Sequence, residues 1–256
     1  MKRTQVLLAC ALVLALSGAN LVAAEEGIKE GKATIKAAHG TVEYLDNGSW
    51  LPARVNMKLA PGAALRTGAD GSADLSVNGL SSALRMTNNT VLRIPTMTYV
   101  GTDREGDRTT TLNLETGAII GNVKKITANS RYEIMTPHGV AGIRGTDYGA
   151  ATFSNPDGTG TSTFSSISGT IQAVGNVNGT MQVFTLHTGD TVTFGGPTPP
   201  VIQQLTLEIL QFYRGQIEGL INSVIPPPPP GGIHGAPPPT ILLPFQGGPP
   251  RGTSAS

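Results

Sequence analysis

From Ala33 onward, apolar and polar residues alternate in short runs. Residues 34–37 and 40–45 place every second side chain on one face, the period of a half-buried strand. Asp46-Asn47-Gly48 supplies hairpin turn chemistry. Trp50-Leu51 follows, with Pro52 limiting any central pairing there. The pattern recurs over 59–68, 73–77, 84–86, 91–94, 110–114, 117–123, 132–136, 146–153, 161–168, 170–174, 182–186 and 191–194. Gly- or Asn/Asp-rich turns separate these runs at roughly 8–12-residue intervals, which predicts an all-β body over residues 33–196. Residues 101–108 are polar and charged and read as a solvated hairpin tip. Three runs open alike, Gly40-Thr41-Val42, Gly117-Ala118-Ile119 and Gly169-Thr170-Ile171. Their unequal intervals make them recurring strand entries rather than a fixed-period repeat.

The period changes after Pro197. Leu205, Ile209, Phe212, Ile217, Leu220, Ile221 and Val224 approximate one helical face, which predicts an amphipathic helix over 198–225. Gly215 and Gly219 weaken it, each by about 1 kcal/mol against Ala. The helix reads as a cap on the β body or on an open sheet edge, with self-association or a membrane-surface role as alternatives. Arg214 is its one positive charge, which gives membrane attraction little support. Pro226–Pro230 stop any helix and favour a polyproline II rod. Residues 226–256 form a Pro/Gly-rich tail without periodicity, expected to be disordered, whose apolar patch is Ile241-Leu242-Leu243-Pro244-Phe245.

Residues 1–24 read as a signal peptide: Lys2 and Arg3, an apolar run over 6–16, and Leu21-Val22-Ala23-Ala24 before the expected cleavage. That run is too short for a bilayer, which takes about 20 apolar residues, and no later run qualifies as a span. Leu7-Leu8-Ala9-Cys10 loosely resembles a lipobox but leaves almost no apolar run ahead of the cysteine. Cys10 is the one cysteine, so the mature chain is expected to use neither disulfides nor thiol chemistry. The expected location is therefore the periplasm, the cell envelope or the medium. The formal charge is +1, falling to about −1 without Lys2 and Arg3, and no basic run occurs, which argues against nucleic acid. Aromatics are only 5%, so few rings are available to stack on bases or sugars.

The densest text is 132–153, where two β-type runs flank Thr136, Pro137, Gly139, Gly142, Arg144, Gly145 and Thr146. Glycines this close beside a proline predict backbone positions that other residues could not occupy or fill. His138 lies at this turn. It does not share zinc-ligand spacing with His39, His187 or His234, and no nucleophile elbow, P-loop, dinucleotide fingerprint or EF-hand loop occurs. Asn155-Pro156-Asp157-Gly158 and Ala69-Asp70-Gly71-Ser72 read as ordinary turns rather than calcium loops. No cofactor, metal or enzymatic reaction is expected. One chemistry is conceivable: the Thr146 hydroxyl attacking the Gly145 carbonyl, an N-to-O acyl shift followed by ester hydrolysis. The plainer alternative is that Thr146 begins a strand after a glycine turn.

An ordered series of motifs resembles the FecR domain family. It comprises Gly40-Thr41-Val42, a loop centred on Trp50, Leu59 with Gly62 and Leu65-Arg66-Thr67, then Ser72-Ala73-Asp74-Leu75 and Thr90-Val91-Leu92-Arg93-Ile94. Leu114 with Gly117 follows. The most specific match runs from Thr136-Pro137 through Gly139-Val140-Ala141-Gly142-Ile143-Arg144-Gly145-Thr146, before Ser168-Gly169-Thr170-Ile171 and Leu186 with Gly189-Asp190. The resemblance implies an all-β domain, a β-sandwich or short β-solenoid-like body, with protein contacts but no defined reaction. The best-known members are membrane-spanning regulators with a cytoplasmic anti-sigma segment and a periplasmic FecR domain that receives a signal from an iron-chelate transporter. This chain has an expected cleavable leader instead of that segment, so it resembles the exported, stand-alone kind. Some such regulators are thought to cleave themselves at a Gly-Thr bond, which is carried onto Gly145-Thr146. The leading expectation is a non-catalytic interaction or scaffold module that binds a protein or envelope polymer. A periplasmic sensor component of a FecR-type, iron-uptake-like system and a self-processing protein are the alternatives, and the oligomeric state is left open.

Overall fold

The computed structural model describes residues 27–79, 82–102, 106–124, 126–155 and 159–224. The expected leader with Cys10, the proline-rich tail and parts of the 101–108 and 155–158 loops lie outside them.

The first strands are β1 (Lys29–Glu30), β2 (Ala33–His39), β3 (Val42–Asp46), β4 (Ser49–Pro52), β5 (Lys58–Leu59) and β6 (Ala64–Thr67). Next come β7 (Ser72–Val77), β8 (Ser82–Met86), β9 (Val91–Tyr99), β10 (Arg108–Val123), β11 (Arg131–Thr136) and β12 (Gly139–Ile143). The last are β13 (Asp147–Ser154), β14 (Gly160–Ser168), β15 (Ile171–Val177), β16 (Thr180–Leu186), β17 (Asp190–Gly195) and β18 (Gln203–Gln204), followed by helix α1 (Leu207–Val224).

The ladders resolve into two sheets. Sheet A runs β4–β3–β6–β9–β10–β11–β12–β15–β16, with β1 on the far end of β9. Sheet B runs β5–β2–β7–β8–β10–β13–β14–β17–β18. All pairs are antiparallel except β10–β11. The ladders branch at β10 rather than closing. Its first half pairs in sheet A and its second half in sheet B, with register shifts on either side of Asn113–Leu114. Two separate strands were expected over 110–114 and 117–123. One long strand serves instead, because it can bend at Gly117, whose φ is +89° and where a Cβ would stand 2.5 Å from the Cα of Thr90.

Alternation in both sheets aims one side of each strand at a shared core. Leu65, Leu92, Leu112, Ile134 and Ala173 come from sheet A and Ile35, Leu75, Leu84, Phe164 and Val192 from sheet B, all essentially without exposure. Burial on this scale, at about 25 cal/mol per Å², is what holds a small-residue β domain together. The chain passes repeatedly from one sheet to the other. The three look-alike entries mark such passages: Gly40, Gly117 and Gly169 all adopt left-handed φ, at +58°, +89° and +80°. A two-layer β-sandwich with this alternating path is the all-β body that the sequence implied.

Residues 84–86 and 91–94 read as successive strands of one pattern but do not pair with each other, since β8 lies in sheet B and β9 in sheet A. Two expectations are corrected. Arg108 is not a solvated tip residue; it is 7% exposed. Its guanidinium donates to the carbonyls of Asn78 and Thr102, both at 3.1 Å, and stacks over Tyr99. The helix begins at Leu207, not near 198, because the preceding residues are taken by the sheet: Gln203 and Gln204 pair with β17, and Leu205 N–H donates to Gly189 O at 2.8 Å. Its packed face holds Ile217, Leu220 and Val224, whereas Ile209 and Phe212 are exposed.

Helix α1 covers the outer face of sheet B. A polar network fixes it there. Arg85 donates twice to Asp74, at 2.6 and 2.7 Å, and once to Gln216 of the helix at 3.1 Å. Ser223 donates to the same carboxylate at 2.6 Å. The Asp74 partner raises the basicity of the Arg85 guanidinium, chiefly through those hydrogen bonds.

Candidate functional site

The glycine-rich stretch is not one long turn between two strands. It contains the interior strand β12, held between β11 and β15. The expectation failed because Gly139 and Gly142 are not left-handed; they sit within the strand, and only Gly145 has a positive φ, +63°.

Alternation assigns each residue. Gly139, Ala141 and Ile143 point to the core, while Val140 and Gly142 point outward. A Cβ on Gly139 would lie 2.8 Å from Val174 O and 3.0 Å from the Phe194 ring. Its cross-strand partner is Gly175, where a Cβ would also strike Phe194. This glycine pair makes room for Phe194, which packs edge-on against Phe164 and Phe184 at centroid distances of 6.2 and 5.4 Å. Ahead of it, Thr136 closes the Pro137–His138 turn. Its hydroxyl donates to Gly139 O at 2.8 Å and accepts from Gly139 N–H at 3.1 Å. His138 turns inward, and its Nε2 is buried with no hydrogen-bond partner among the described residues.

Arg144, Gly145 and Thr146 carry the chain from sheet A to sheet B. Thr146 is 1% exposed. Its backbone exchanges two 3.0 Å bonds with Val123 at the end of β10. Its hydroxyl donates toward Arg144 O at 3.0 Å and Thr170 O at 3.1 Å, the latter just before β15 in the other sheet. Asp147 follows, accepting from Asn122 at 2.6 Å and Ser168 at 2.8 Å. Thr146 thus rivets the two layers together. The only groups its hydroxyl meets in those bonds are carbonyl oxygens, which are poor bases. Below the stretch, Tyr132 and Tyr148 join hydroxyls across the core at 3.1 Å. Burial pushes the Tyr132 phenol up to about 12 and holds Tyr148 well above its ordinary range.

Gly142 stands apart. It lacks a positive φ, and a Cβ there would meet nothing closer than Gln172 O at 3.9 Å. Neither backbone conformation nor packing calls for glycine. Its register partners are Glu133 and Gln172. With Arg131, Arg144 and Thr170 these surround an open depression of about 400 Å³ on the outer face of sheet A. Arg131 and Glu133 approach at 3.6 Å. The guanidinium of Arg144, exposed at the end of β12, has no partner among the described residues. Beside the depression lies an apolar row, Met135–Val140–Val174–Val183, aligned across β11, β12, β15 and β16. Met135 is 42% and Val183 64% exposed, so among the described residues this face is partly apolar and uncovered. Sequence reasoning named Gly142 and Arg144 but missed Glu133, Gln172 and the row, because cross-strand neighbours far apart in the chain leave no local signal. Among the described residues no cluster of His, Cys, Asp or Glu could hold a metal ion. No described helix is long and apolar enough to cross a membrane.

Residues 63–172 match the FecR protein family. Two solved structures of a candidate anti-sigma factor from Parabacteroides distasonis share 10% identity with this chain. Their TM-scores are 0.45 and 0.44, over 59% of this chain and 64% and 63% of theirs. The chain therefore spans less than two thirds of those proteins. Comparison with curated proteins returns no match.

Proposed function

We propose that this chain, whose residues 63–172 are FecR-family sequence, is a non-catalytic interaction module of the cell envelope that serves FecR-type signalling through the outer face of sheet A. Gly142 carries the proposal. A strand-interior glycine costs roughly 0.5–1 kcal/mol against alanine, and nothing in the fold demands this one. It leaves the floor of the depression flat, so that a partner's backbone can approach between Glu133 and Gln172. Arg144, which has no ion pair among the described residues, offers such a partner a fork of donors. The chemistry fits a protein segment with a carboxylate near its docking end. A regulator or transporter component of the envelope is the partner class that the family resemblance suggests.

The test compares full-length wild-type protein with its Gly142→Leu variant as baits against the native envelope fraction. Partners held by the wild type and released by Gly142→Leu, with the variant's circular dichroism unchanged, are the expected outcome. Identical captured proteins from both baits would remove the proposed face.

A further inference from the structure

Among the described residues sheet A ends at β4 and β16 and sheet B at β5 and β18, and three of these four end strands are short. β4 is four residues long and ends in Pro52, while β5 and β18 are two residues each. β16 is different. It has seven residues, Thr180-Met181-Gln182-Val183-Phe184-Thr185-Leu186, with no charge and no proline. It pairs with β15 on one side and with no strand on the other among the described residues. A long, uncharged edge of good strand formers is the kind that natural proteins normally protect.

The hairpin geometry fixes what this edge presents. Val177 and Thr180 close a two-residue loop, Asn178-Gly179, with φ +52° and +85°. In such a hairpin the closing pair is hydrogen-bonded and the pairs alternate from there. Thr180, Gln182, Phe184 and Leu186 therefore spend their backbone groups on β15. Met181, Val183 and Thr185 turn their N–H and C=O groups outward. That outward set is symmetric about Val183.

We propose that β16 pairs antiparallel with β16 of a second copy, on a two-fold axis at Val183. Val183 then bonds its own counterpart, and Met181 bonds Thr185 of the other copy in both directions. Every outward backbone group of the three residues is satisfied with none left over. Side-chain parity is preserved, so the apolar row ending at Val183, which is 64% exposed, continues into the same row of the second copy. Met181, 61% exposed, gains Thr185 as its cross-strand neighbour. No like charges meet at the axis, because the strand has none. The two Gly142 depressions then lie on one continuous sheet. One strand per copy buries less than a standard interface, so the dimer dissociates on dilution.

Cysteine trapping reads the register directly. In the full-length chain carrying Cys10→Ser, Val183→Cys places the two sulfur-bearing residues in a hydrogen-bonded pair with Cα atoms about 5.5 Å apart, within disulfide reach. Met181→Cys alone places its two copies about 13 Å apart along the strands. Under mild oxidation Val183→Cys gives a covalent dimer and Met181→Cys does not, whereas the Met181→Cys/Thr185→Cys pair does. Val183→Lys, at an exposed position that leaves the fold intact, raises the dimer dissociation constant by about tenfold or more in sedimentation. Equal cross-linking of both single variants, or none by Val183→Cys, would overturn the proposal. So would a wild type that stays monomeric across the concentration series.

Discussion

Gly139, Gly142 and Gly145 are spaced evenly along one strand and its exit, yet each is a glycine for a separate reason. At Gly139 the core has no room, with Val174 O 2.8 Å from any Cβ. At Gly145 the backbone is left-handed. At Gly142 neither holds. Thr146, beside them, is explained by its bonds: a buried hydroxyl linking the carbonyls of Arg144 and Thr170. Thr146→Val keeps the shape but strips both carbonyls of a donor, so it should lower unfolding free energy by about 1–3 kcal/mol. Wild-type protein purified from its native envelope should give one intact mass with no break after Gly145. Two fragments meeting at Gly145/Thr146 would contradict this structural role and favour self-cleavage.

Strands and helix differ in how far their sequence reveals them. Nearly all strands follow from period-two alternation, since one face of each is buried. β10 reads as two strands because Glu115, Thr116 and Gly117 interrupt the pattern where the strand changes sheets. β12 is hidden because glycines at 139 and 142 look like turn residues when their cross-strand partners are unknown. The helix was legible in period but misplaced at its start, since competition from β17 for Gln203 and Gln204 is a tertiary effect. What anchors α1 was not legible at all: Asp74 and Ser223 are 149 residues apart. Asp74 is 4% exposed, so Arg85→Ala leaves its carboxylate poorly compensated. It should cost about 3 kcal/mol in chemical denaturation and release the amides near Leu220 to hydrogen exchange. A loss below about 0.5 kcal/mol would mean that the apolar face holds the helix alone.

At the scale of the whole molecule the two outer faces are unequal. Among the described residues α1 packs on sheet B and nothing packs on the outer face of sheet A, which carries an apolar row, a flat glycine floor and the edge strand β16. The sequence drew attention to the 132–153 stretch but not to the proposed surface, because that surface is assembled from β11, β12, β15 and β16. The central claim is that Gly142 is kept for that surface and not for the fold. Unfolding free energies of Gly142→Ala and Gly139→Ala, measured side by side by denaturant titration, test it most directly. Gly142→Ala should match the wild type or exceed it by about 0.5–1 kcal/mol, while Gly139→Ala should lose about 1–3 kcal/mol through overpacking. A loss at Gly142→Ala as large as that at Gly139→Ala would contradict the account.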